Sequence, residues 1–232
     1  MICAIKTKVV INCYSLENLY FVLNATNCWF FKSGHMHTFA LKNQIAYICK
    51  NALLGMVFKA IQDKFKAKSG HKYLEDELKK PRPFTDKKGV SSIACIVDMD
   101  KFSDAEAFQG LRQQMGLKPN AVHVMGYKRG QDKHGMFSIP FCTDKDLGWN
   151  GSIENGDFSE FSGRHYDVLI NYFTEDRLVL KLMSTKINAR LRVGLKEADN
   201  DMNDLIFDCG LKDYKTFMTE LEKYLKILKE LK

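Results

Sequence analysis

The sequence has no apolar run near the roughly 18 residues that a membrane-spanning helix requires, and its 45% hydrophobic content is spread along the chain. The opening Met1-Ile2-Cys3-Ala4-Ile5-Lys6 lacks the long apolar core and small-residue cleavage site of a secretory signal. The cytoplasm is therefore the expected compartment. Cysteine pairs are missing as well. Cys3, Cys13, Cys28, Cys49, Cys95, Cys142 and Cys209 form no CxxC, which excludes a zinc ribbon and a thioredoxin-type redox pair. Cys28, His35 and His37 lie near one another but have no fourth ligand at a metal-binding spacing. Cys95 and Cys209 fall in apolar strand-like runs, where a thiol serves as a small core residue. No GxGxxG, GxxxxGK[ST], GxSxG or HExxH occurs, so the signatures of dinucleotide binding, P-loop phosphate binding, serine hydrolysis and zinc proteolysis are all absent. No metal site is read from the sequence, and it names no cofactor.

Acidic residues are scarce only in the first part of the chain. Residues 1–55 hold five lysines against one acid, and residues 56–90 hold ten Lys or Arg against five acids. Residues 91–232 hold twenty against twenty-two. The net charge of +7 therefore resides in the first ninety residues. A near-neutral body argues against a nucleic-acid-binding core, while leaving a basic arm free to meet phosphates or lipid headgroups.

What the sequence does contain is an α/β pattern. Val90-Ser91-Ser92-Ile93-Ala94-Cys95-Ile96-Val97-Asp98 is a short, branched, continuous apolar run, as expected of a strand buried on both faces. Ser103 with Glu106 has the form of a capping box for a helix over 104–117, with Gly116 near its end. A strand over 120–127 follows, and strand, helix, strand at this length implies parallel pairing through a right-handed crossover. Residues 137–142 read as a short edge segment because Pro140 has no N–H to donate. Strands are expected over 166–173, 189–195 and 204–209, and helices over 175–187 and 213–231. The whole reads as a three-layer α/β domain, Rossmann-like or flavodoxin-like, with a mostly parallel sheet of about five strands over 89–232. Before it, 56–88 form a basic helical arm and linker, with Ser69-Gly70 as a break in the helix. Residues 1–55 show no sustained period of 2 or 3.6. They are expected to be a poorly structured extension foreign to the domain, with Met56 as the natural first residue.

Several motifs then occur in a fixed order: Lys145-Asp146-Leu147-Gly148-Trp149, Tyr166-Asp167-Val168-Leu169-Ile170-Asn171, Arg190-Leu191-Arg192-Val193-Gly194 and Asp204-Leu205-Ile206-Phe207-Asp208. They are preceded by Phe58-Lys59-Ala60-Ile61-Gln62-Asp63-Lys64-Phe65-Lys66. The ordered set resembles a Bacteroidota family known only as a domain of unknown function, over about Met56 to the C-terminus. The resemblance implies a small bacterial α/β protein and transfers no catalytic residue.

Open parallel sheets bind ligands at the carboxyl ends of their strands. That rule gathers Asp98, Asp100, Asn171 and Asp208 at one edge, with Lys145 and Trp149 on a long loop nearby, as candidate ligand-binding residues. Strand-terminal Asp is also an ordinary turn former, and that reading carries more weight for this cluster. Asp98-Met99-Asp100 is similar to the strand end of haloacid-dehalogenase-type phosphatases, but Lys101-Phe102 lacks the small hydroxyl-bearing continuation. A response-regulator receiver needs an acceptor Asp where Asn171 stands.

Two functions follow. The first is a non-catalytic module binding a protein or ribonucleoprotein partner through Lys59, Lys64, Lys66 and Lys68; the second is a small-molecule or divalent-metal-dependent enzyme at the carboxyl edge. The first is preferred because every catalytic signature is missing. For the arm, packing on the domain is preferred to peripheral contact with a membrane, because its apolar stripe (Val57, Phe58, Ile61, Phe65) is narrow.

Overall fold

The computed structural model describes residues 9–11, 20–24, 27–32, 35–36, 42–81, 88–130, 137–197 and 200–231, with side chains from residue 55 onward. The side chains of Cys28, His35 and His37, most of the linker before residue 88 and most of the polar loop after Arg129 lie outside the described residues. The chain divides into two units, Met1–Gln62 and Asp63–Lys232. In the first, β1 (Val9–Ile11), β2 (Tyr20–Asn24), β3 (Asn27–Lys32) and β4 (His35–Met36) pair antiparallel in chain order. Helix α1 (Lys42–Leu78) follows and continues into the second unit.

Helix α1 therefore starts before Met56 and passes through Ser69-Gly70 without a break. Gly70 is not a stop signal but a point of close approach. A Cβ there would meet Leu178 Cδ2 at 3.2 Å and Gly151 Cα at 3.8 Å. The Ser69 hydroxyl donates back to Lys66 O at 2.9 Å, which keeps it inside the helix.

The second unit is built on six strands: β5 (Ile93–Asp98), β6 (Val122–Lys128), β7 (Phe141–Thr143), β8 (His165–Tyr172), β9 (Asn188–Leu195) and β10 (Leu205–Phe207). Their order is β10-β9-β8-β5-β6-β7, and every neighbouring pair is parallel. Numbered within the sheet this is 3-2-1-4-5-6, the order of doubly wound dinucleotide-binding sheets, with its switch point between β5 and β8. The sixth strand, β7, is the edge segment beginning directly after Pro140, whose carbonyl accepts Gly126 N at 2.9 Å.

All six residues of β5 are buried, which is why the run is apolar without alternation. Ile93, Cys95 and Val97 face one layer, made of α5 (Tyr214–Ile227), a 3-10 turn (Ala105–Gly110) and the single turn α2 (Leu111–Gln114). Ala94 and Ile96 face the other, made of α3 (Gly156–Ser162) and α4 (Leu178–Lys186). The expected helix over 104–117 is thus mostly 3-10, and its capping box does not form: the N-cap is Asp104, with no side-chain cap bond. Glu106 instead accepts from Ser138 Oγ, and Gly110 weakens the helix from within. Phe108 is drawn into an aromatic cluster with Phe102, Tyr172 and Tyr214. At the amino end of the sheet, Asp167 Oδ2 accepts from Ser91 N, Ser92 N and Ser91 Oγ at 2.6–3.1 Å. Glu230 closes the chain end onto Arg190 and Gly89 N at 2.6–2.7 Å.

Candidate functional sites

At the switch point β5 ends on Asp98, which is 1% exposed. Its Oδ1 accepts from Asp100 N at 3.1 Å, while its carbonyl accepts from Lys101 N at 3.2 Å and Phe102 N at 2.9 Å. The carboxylate therefore closes a tight turn of the kind Asp forms locally. Burial raises its pKa; the Asp100 N–H opposes that shift, and the carboxylates of Asp100 and Glu175 reinforce it. Asp100 is exposed and accepts from Arg129 N at 2.7 Å, joining the turns that follow β5 and β6. Glu175, just beyond β8, contacts Lys101 at 2.9 Å, Arg177 at 2.9 Å and Arg129 at 3.8 Å. Lys101 and Arg129 escape a sequence reading because they follow β5 and β6 while Glu175 follows β8, and only the strand order brings them together.

Asn171 lies two residues inward on the same face, paired with Ile96 of β5 and Gly194 of β9. It is fully buried and donates Nδ2 to Asn203 Oδ1 at 2.8 Å, while its own Oδ1 has no hydrogen-bond partner among the described residues. Gly194 makes room for this pair: a Cβ there would fall 2.2 Å from Asn203 Nδ2.

The other candidates are not brought to this place. Asp208 follows β10 at the sheet's outer edge, three strands from β5, where it is exposed and pairs with Lys196 at 2.6 Å. It borders a groove of about 330 Å³ lined by Leu205, Phe207, Cys209 and Tyr224. Lys145 and Trp149 follow β7 at the opposite edge, both exposed. Their loop folds onto the end of α1 rather than over the carboxyl edge. Asn150 N donates to Ser69 Oγ at 3.1 Å, Lys66 Nζ donates to Leu147 O at 3.3 Å, and Gly151 lies against Tyr73.

A dinucleotide-binding sheet keeps its first turn glycine-rich so that pyrophosphate can approach the backbone. Here side chains fill that place. A Cβ at Gly126 would fall 2.1 Å from Met99 Sδ, and Phe102 stacks on Tyr214 with centroids 5.4 Å apart. No group of three or more His, Cys, Asp or Glu is arranged to hold a metal ion among the described residues.

Helix α1 presents the second candidate site. Toward its end Leu74 is buried, Gly70 meets Leu178, and Tyr73 carries Lys186 Nζ 4.4 Å above its ring. Earlier in the helix every residue from 55 to 65 is exposed, the large apolar ones included: Met56 is 62% exposed, Val57 48%, Phe58 63%, Ile61 44% and Phe65 58%. Positions 57, 61 and 65 are one turn apart and share a face. Lys64 and Lys68 stand three residues beyond Ile61 and Phe65, beside that stripe, and both are exposed. Lys59 is exposed as well, whereas Lys66 turns inward to Leu147. Within the second unit the helix packs on the domain through Lys66, Ser69, Gly70, Tyr73 and Leu74.

Among the described residues no helix is long and apolar enough to cross a membrane. No curated protein matches the chain. A family of unknown function, DUF6913, matches residues 66–228, a span from within α1 through α5 that holds the four motifs between Lys145 and Asp208; of the opening motif Phe58–Lys66 only Lys66 falls inside it, so the match starts later than Met56. The chain belongs to this family of unknown function.

Proposed function

We propose that the domain is a non-catalytic binding module of the cytoplasm and that α1 is the element through which it meets its partner. The observation that carries this reading is the exposure of large apolar residues along this helix, Val57, Phe58, Ile61 and Phe65 among them, with Lys64 and Lys68 exposed beside Phe65. Large apolar side chains gathered on one helix face are recognised by grooves and surfaces that bury i, i+4 and i+8 positions together. The lysines add a requirement for negative charge, so a protein or ribonucleoprotein presenting carboxylates or phosphates suits this face. The side chains filling the switch point support the non-catalytic part of the reading, and the free thiols of Cys95, Cys142 and Cys209 suit a reducing compartment. The test is photo-crosslinking in cells from position 61 of the full chain. A discrete adduct that disappears in Lys64→Glu/Lys68→Glu, with thermal unfolding unchanged, is the expected result. An adduct indifferent to both charges would overturn the reading.

A second reading keeps a small-molecule or divalent-cation enzyme at the carboxyl edge. It is supported by the buried carboxylate of Asp98 and the unpartnered Oδ1 of Asn171 on one face. It requires Mg²⁺ or a nucleotide to raise the melting temperature, and Asp98→Asn to abolish the rise. A broad ligand panel without any shift would remove its support.

A further inference from the structure

We infer that the outer edge of β10 and the groove beside α5 take up an extended apolar peptide with basic ends, which joins the sheet as a further strand. This surface lies wholly within the second unit and is independent of the exposed stretch of α1.

β10 is the end strand of the six, and no strand pairs with its outer side among the described residues. An end strand keeps outward N–H and C=O groups free to pair with another chain. Leu205 and Phe207 pack in the layer of α5, so the two-residue period turns Ile206 to the opposite face, where it is 43% exposed. On the α5 side the uncovered apolar residue is Tyr224, 41% exposed, its ring 5.5 Å from that of Phe207. Thr216, Glu220 and Tyr224 recur one turn apart, so one face of α5 forms the wall of the groove opposite β10. Uncovered apolar surface therefore flanks the edge on both faces of the sheet. An added strand covers both at once, because its side chains alternate between the faces while its main chain meets the edge. A helix laid on one face would cover only half.

Charge selects the occupant. The charged side chains lining the groove are Asp208 and Glu220, both acids. Each is met by a lysine from outside the lining, Lys196 at 2.6 Å and Lys223 at 3.0 Å, in exposed pairs that a ligand's cation can replace at little cost. Nucleic acid and anionic lipid would set phosphates against these carboxylates. A second copy pairing edge to edge would bring its own Asp204 and Asp208, which bracket β10, against them. A peptide with β-branched residues at its centre and lysine or arginine at its ends satisfies the edge, the groove and the acids together.

The test is a titration of the isotope-labelled full chain with the capped peptide Lys-Val-Thr-Val-Thr-Lys to millimolar concentration, followed by amide shifts. Parallel arms use Glu-Val-Thr-Val-Thr-Glu and the lysine peptide N-methylated at its inner amides. The inference expects shifts concentrated at 205–209 and 216–224 with the lysine peptide and none with the acidic one. N-methylation should abolish binding, since it removes the donors of the new ladder and keeps the charges. Asp208→Asn/Glu220→Gln should weaken binding roughly tenfold, at about threefold per exposed ion pair. Thermal unfolding should stay in place, because both carboxylates lie at the surface. Binding indifferent to N-methylation would reduce the effect to general charge attraction and overturn the inference. Binding undiminished by loss of both carboxylates would overturn it too. So would the absence of any shift with the lysine peptide, or concentration-dependent dimerisation through β10, which would give the edge to a second copy.

Discussion

Gly194→Ala probes the one arrangement in the sheet that local sequence does not explain. The new Cβ would lie 2.2 Å from Asn203 Nδ2 and 2.5 Å from Asn203 Cγ, well inside contact distance. Asn203 can relieve the clash only by swinging away, and that movement ends the 2.8 Å hydrogen bond from Asn171. Asn171 is fully buried and its Oδ1 is already without a partner among the described residues, so the substitution leaves a whole buried amide unpaired. Overpacking costs about 1–3 kcal/mol, and a buried polar group left unsatisfied costs about 1–3 kcal/mol more. The expected loss is therefore about 2–6 kcal/mol in urea unfolding, read from the midpoint at constant slope. The mechanism also predicts strong coupling. In an Asn203→Ala background the added methyl meets no amide, so Gly194→Ala should cost far less there. A single-variant loss below about 0.5 kcal/mol, or equal costs in the two backgrounds, would refute the reasoning.

Three further outcomes follow from the same structure. Asp98→Asn keeps an oxygen for Asp100 N and removes a carboxylate whose pKa burial raises. Its ionisation disfavours the folded state, so the variant should be more stable at neutral pH, with the gain fading as pH falls through the raised value; a loss of stability at neutral pH would contradict this. Glu230→Gln breaks a bidentate pair with Arg190 that is only 10–14% exposed, at an expected cost of about 1.5–3 kcal/mol. The Arg190 guanidinium holds the Glu230 pKa low, so this cost should be full above the ordinary carboxylate range and vanish as pH falls through the lowered value. In α1, Leu74→Ala should cost about 2–4 kcal/mol, whereas Phe58→Ser/Phe65→Ser should stay within about 0.5 kcal/mol of the parent. Equal costs at the two places would mean that the stripe is packed after all.

Much of the fold is legible because burial leaves a local mark. The run from Ile93 to Val97 is apolar at every position since helices cover both faces of β5, and Pro140 marks an edge because it cannot serve a central ladder. The misreadings occur where a distant contact overrides local preference. Ser103 and Glu106 have the form of a helix cap, yet Glu106 is taken by Ser138 and Phe108 by the aromatic cluster. Ser69-Gly70 has the form of a stop, yet Leu178 and Gly151 need a residue without a side chain there. The candidate site was legible only as far as Asp98, Asp100 and Asn171, which sit on neighbouring strands. Asp208 carries the same strand-end signal and Lys145 lies on a loop expected to cover it, but the sheet order sends the two to opposite edges. The exposure of the α1 stripe has no local signature, because a packed amphipathic helix and a bare one share the same periodicity.

The central claim is that α1 meets a partner through one face, and positional crosslinking tests it most directly. A photoreactive residue placed singly at 57, 58, 61, 63 and 65 of the full chain should give strong adducts to a protein or ribonucleoprotein at 57, 58, 61 and 65. Position 63 should give little or none. Adducts of equal strength at all five positions, or at none of them, would contradict the account.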